Sequence, residues 1–150
     1  MPPADGPLSE TNTLKEALRA IRRRRGMSAR QVAAAMGLAL RTYQHFEAGR
    51  GQLNFERIKA FALATDSDPH AILTAVMIGT PAFALRCIDN KLASVLLVAV
   101  KRFDGRMGDA VSHFEVGRLI SAFRKLFDDL EADLAVRDAE VRAWLDDPEP

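Results

Sequence analysis

Side chains able to do covalent or metal chemistry are few in this 150-residue chain, and their spacing argues against both. Cys87 is the only cysteine, which excludes an intrachain disulfide and a thiolate cluster for zinc or iron–sulfur; packing is its expected role. His45, His70 and His113 stand far apart and suggest no metal spacing. No Ser–His–Asp order, paired acid on a loop or phosphate-cradling glycine loop stands out, so no catalytic residue, metal or cofactor is expected. What the chain does concentrate is positive charge. Between Thr13 and Lys59 eleven Lys/Arg face three Glu, a net of +8, whereas residues 60–150 hold ten Lys/Arg against fifteen Asp/Glu, a net of −5. A basic segment beside an acidic one fits a nucleic-acid-binding head carried by a body with another task.

The elements that must position these charges are helices. Apolar residues make up 48% and charged residues 27%, the balance of a globular protein. The longest apolar stretch, Leu92 to Val100, is nine residues if Ser94 is allowed, against the roughly 20 a membrane helix needs. With no basic, apolar start either, a cytoplasmic protein is expected. Residues 1–12, rich in Pro and Gly, read as a loose arm. Thr13 with Glu16 forms a capping box that opens a helix ending at Gly26, and Ser28 with Gln31 forms a second one. After the turn Gly37–Ala39, a helix over Leu40–Ala48 buries Tyr43 and Phe46. Asn54 caps a fourth helix, and Asp68-Pro69 opens a fifth that runs to about Ile78. The fold class is therefore all-α, with a compact five-helix unit over residues 13–79.

From Thr80-Pro81 onward, Phe83 to Phe103 reads as one long helix and residues 104–109 as a turn. Ser112 with Glu115 then opens a last helix reaching roughly Leu145. Residues 80–150 would form an antiparallel two-helix hairpin. Two such helices enclose little core alone, so dimerisation is the expected role, with Leu119, Phe123, Phe127, Leu130 and Leu134 as the seam and Val95, Leu96 and Ala99 beneath.

The helix–turn–helix of residues 28–48 resembles a known family. The string Ile21-Arg22, Gly26-Met27-Ser28, Val32-Ala33, Met36-Gly37-Leu38-Ala39, Tyr43 and Phe46-Glu47-Ala48-Gly49-Arg50 is similar to the Cro/C1-type (xenobiotic-response-element) helix-turn-helix regulators. The likeness covers about residues 13–78 and implies a lambda-repressor-like domain whose second motif helix enters the major groove of double-stranded DNA. On that reading Leu40, Arg41, Gln44 and His45 face the bases. Arg41 can bond guanine O6 and N7, Gln44 adenine N6 and N7, and Leu40 can pack on a thymine methyl. The resemblance places Ser28, Arg30, Thr42, Arg50 and Gln52 on phosphates and pairs Arg22 with Glu47 inside the domain. Where the family usually carries glutamine, this chain has Ala29; Arg30 or Gln31 can take over its backbone contact.

The implied function is a sequence-specific regulator, a repressor that binds a near-palindromic operator as a homodimer. The alternative is an antitoxin or anti-factor. It would hold a protein partner on its acidic C-terminal helices (Asp128, Asp129, Glu131, Asp133, Asp138, Glu140) and autoregulate through the same head.

Overall fold

The computed structural model describes residues 7–147, with side chains from residue 10 onward. Among the described residues the chain is helical, without a strand. It divides into two compact units, Met1–Phe103 and Asp104–Pro150.

In the first unit, α1 (Pro7–Arg24) is followed by α2 (Ala29–Ala35), α3 (Leu40–Glu47), α4 (Phe55–Thr65), α5 (Pro69–Ile78) and α6 (Pro81–Arg86). The short helices start where the side chains dictate. Ser28 and Gln31 form the reciprocal capping box of α2, Asn54 Oδ1 accepts from the Arg57 amide at 3.1 Å, and Asp68 caps α5 ahead of Pro69. Their apolar faces converge on one core in which Leu18, Ile21, Tyr43, Ile58, Phe61 and Ile72 are fully buried. The rings of Tyr43, Phe46 and Phe61 run through it in tilted contacts, with centroids 6.2 and 6.1 Å apart.

Several sequence expectations need correction. Residues 7–12, read as part of a loose arm, are helical, and residues 1–6 lie outside the described residues. Thr13 is consequently a buried interior residue of α1 and not its cap. The added turns are held by packing, because the Thr11 carbonyl lies against the backbone of Gly49. Next, the expected boundary at residues 79–80 moves to 103–104. Helix α6 packs on α1 and α5, and Ala84, Cys87, Ile88 and Ala93 are buried, so the chain beyond Gly79 completes the first core. Burial also pushes the Cys87 thiol above its ordinary range. Finally, the helix read as continuous from Phe83 to Phe103 breaks after Arg86. It resumes as α7 (Leu92–Met107) once Lys91 has taken a left-handed φ of 55°.

The break has a visible cause. Lys91 Nζ reaches back to the carbonyls of Ile88 (2.6 Å) and Asp66 (2.8 Å). Asp68, 1% exposed, accepts from the amides of His70 and Ala71 with one oxygen and from the amide of Ser94 with the other. One buried carboxylate thus caps two helices, α5 and α7. Beyond Ser94 the side chains of Val95 to Leu97, Val98 and Val100 are exposed.

In the second unit, residues 104–107 are helical where a turn was expected, and a 3₁₀ segment spans Gly108–His113. Ser112 Oγ donates to the Asp109 carbonyl within that segment, so it does not open the last helix as expected. Helix α8 (Val116–Asp146) starts after Glu115 and runs 31 residues, with every residue exposed.

Candidate nucleic-acid interface

Helix α3 is pinned from inside and open outside. Tyr43 (0% exposed), Phe46 (6%) and Glu47 (5%) face the core. Glu47 accepts from Arg22 Nε at 2.5 Å and from the Tyr43 hydroxyl at 3.1 Å, while Arg22 also donates to the Met27 carbonyl at 3.2 Å. The pair that the resemblance implied is therefore present, and it ties α1 to α3 and to the approach to α2. The hydrogen bond to Glu47 raises the Arg22 pKa above its ordinary value. Burial, aided by the Glu47 charge, pushes the Tyr43 phenol well above its usual range.

With Tyr43, Phe46 and Glu47 turned inward, the helical period leaves Arg41, Thr42, Gln44 and His45 exposed on the opposite side. Arg41, Gln44, His45, Ala48 and Arg50 bound a shallow recess of about 350 Å³. A wider groove of about 610 Å³ continues from His45 and Arg50 past Gln52 and Asn54 to Arg57. Leu40 does not share this position. It is half-buried and packs on the core, so the expectation that it faces outward is corrected: the core takes up part of its side chain. Arg57 was not singled out from the sequence, although a cation three residues after the Asn54 cap falls at a helix start on the rim of this groove.

Of the residues expected on phosphates, Arg50 and Gln52 line this groove. Ser28, Arg30, Arg50 and Gln52 are exposed. Ser28 Oγ accepts the Gln31 amide at 3.1 Å, which leaves its hydroxyl proton to donate outward. The Gln31 side chain turns back to the Ser28 amide at 2.8 Å, so of the two residues that could take over from Ala29 only Arg30 projects freely. Helix α3 itself begins at Ala39 without a side-chain cap, and its first-turn amides are the kind that bind anions.

The four-arginine run separates residue by residue. Arg22 belongs to Glu47. Arg25 is also committed inside the protein, donating to the carbonyls of Thr65 (2.8 Å) and Asp66 (2.5 Å) and to the Asp89 carboxylate (3.0 Å). Arg23 and Arg24 are exposed at the end of α1. Away from α3, Asp68, His70 and Ser94 do come together, yet as a cap. Ser94 Oγ donates to Asp68 at 2.5 Å and meets His70 Nδ1 at 2.9 Å, so the serine proton is held by the carboxylate and not by a histidine base.

Residues 18–72 match the family model described as helix-turn-helix. Over that segment the chain is similar to the helix-turn-helix domains of the Cro/C1 type. The likeness supports a DNA-binding transcription regulator of the xenobiotic-response-element type. The C-terminal half of the chain matches no family model, and no curated protein or solved structure matches the chain. No helix among the described residues is long and apolar enough to cross a membrane.

Proposed function

We infer that the chain is a sequence-specific repressor that binds a near-palindromic operator as a homodimer, without catalysis, metal or cofactor. The observation that carries this reading is the outer face of α3: Arg41, Gln44 and His45 stand together, exposed, on a helix fixed from within by Tyr43, Phe46 and Glu47. With α3 in the major groove, Arg41 reads a guanine and Gln44 an adenine, each bidentate pair being worth about 1–3 kcal/mol against the wrong base. His45 donates to a base beside them. Ser28, Arg30, Thr42, Arg50 and Gln52 hold the flanking phosphates, with Arg57 continuing the line along the groove.

One head covers one half-site. A second copy supplies the other, about 34–36 Å away along the duplex, and the exposed apolar side chains of α8 give the two copies a surface to join. Selection from randomised duplexes by the purified protein tests the reading. It should return two inverted half-sites at that spacing. Isolated half-sites, or no enrichment with binding that falls steeply with salt, would contradict it. In the latter case a second polypeptide that copurifies on α8 would favour the antitoxin alternative.

A further inference from the structure

The exposed face of α8 carries more than an apolar stripe. Val116, Ile120, Phe123, Phe127, Leu130 and Leu134 follow one another at alternating steps of four and three, and the same rhythm continues through Arg137 to Val141 and Trp144. That is a 3.5-residue period sustained over four heptads, the pattern of a helix that supercoils with another helix. Every apolar member of the seam is at least 45% exposed within the chain.

Charge along the same helix is polarised. From Val116 to Phe127 there are three cations (Arg118, Arg124, Lys125) and no acid; from Asp128 to Asp146 there are seven acids against two arginines. A parallel, in-register pair would stack like on like. It would set Arg137 against its own copy within the seam and Asp133 beside the copy of Asp138, both unfavourable in a low-dielectric contact. Reversing one helix about a point near Asp128–Asp129 removes both clashes. It lays the basic half of each helix on the acidic half of the other and brings Arg124 opposite Glu131 twice, once on each side of the two-fold axis.

We propose that α8 pairs with α8 of a second copy in antiparallel orientation, as a four-heptad coiled coil centred near Asp128–Asp129. The proposal rests on the homodimer reading above and adds the geometry of the join. The two DNA-binding units are thereby tethered at opposite ends of the paired helices.

The test uses the full-length Ala143→Cys protein carrying a nitroxide label, with the unsubstituted protein as a check that buried Cys87 takes up none. At a rise of 1.5 Å per residue the antiparallel pair separates the two labels by about 45 Å, whereas a parallel pair holds them within about 20 Å. A charge exchange gives a second readout. Arg124→Glu should weaken self-association roughly tenfold by placing like charges at two symmetric positions, and Arg124→Glu combined with Glu131→Arg should restore it. A short label distance, or no rescue in the exchange variant, overturns the antiparallel join while leaving the homodimer and its DNA binding intact. A chain that stays monomeric at every concentration overturns both the join and the homodimer.

Discussion

Removal of the Glu47 carboxylate would leave the Arg22 guanidinium, 17% exposed, with only the Met27 carbonyl, and would leave the Tyr43 hydroxyl without its acceptor. Breaking a largely buried pair in this way costs about 3 kcal/mol, so Glu47→Ala should lower the unfolding free energy measured in urea by that amount while Arg41→Ala leaves it unchanged. The same cluster sets an alkaline limit. The phenol of Tyr43 is raised in the folded state by its burial and by Glu47. Its contribution is therefore fully present below the unfolded value of about 10 and is lost as pH rises through the folded one. Tyr43 is the only tyrosine, so ultraviolet absorbance follows it directly. Ionisation should come only with unfolding, and the Tyr43→Phe protein should lack this part of the alkaline loss. A phenol that titrates at its ordinary pH in the folded protein would contradict the burial argument.

Among the elements, the joints between helices rest on two residues that tolerate little. At Gly49, φ is +72°, and an added Cβ would lie 2.5 Å from the Thr11 carbonyl oxygen. Gly37 has a similar φ of +67° with nothing within 4 Å. Gly37→Ala should cost about 1 kcal/mol from backbone strain alone, and Gly49→Ala about 3 kcal/mol because backbone must also move. Equal losses in denaturant titrations would refute the Thr11 contact and, with it, the packing of the added turns of α1. The second joint is Asp68. Its carboxylate serves two helix starts, so Asp68→Ala should destabilise by about 3 kcal/mol where Asn54→Ala, a single cap, costs about 1 kcal/mol. Local signals made much of this legible in the sequence. Ser28 with Gln31, Asn54 and Asp68-Pro69 announced α2, α4 and α5, and the spacing of Tyr43 and Phe46 turned Arg41, Gln44 and His45 outward. What was not legible depends on partners distant in the chain. Arg25 finds acceptors 40, 41 and 64 residues away, Ser94 is captured by Asp68 from 26 residues away, and α1 is lengthened by a contact with Gly49. The partial burial of Leu40 escaped for a related reason: periodicity assigns a face, and a residue at the edge of the face can be claimed by either side.

At the scale of the whole molecule, the division of charge follows the division of labour. The basic surface lies around α3, and the exposed apolar and acidic residues lie on α8. Phe123→Asp should accordingly give a monomer by light scattering while the helical signal and thermal midpoint of the DNA-binding unit stay as they were. Its affinity for a complete operator should fall to that for a half-site; an unchanged dimer would remove α8 from the join. The central claim, that α3 reads sequence, is tested most directly by comparing Arg41→Ala/Gln44→Ala with the unsubstituted protein on the selected duplex and on a scrambled one. The account predicts that the double variant binds the selected duplex only as well as the scrambled one, with scrambled binding nearly unchanged. An equal loss on both duplexes would mean that these side chains hold phosphates and that sequence is read elsewhere.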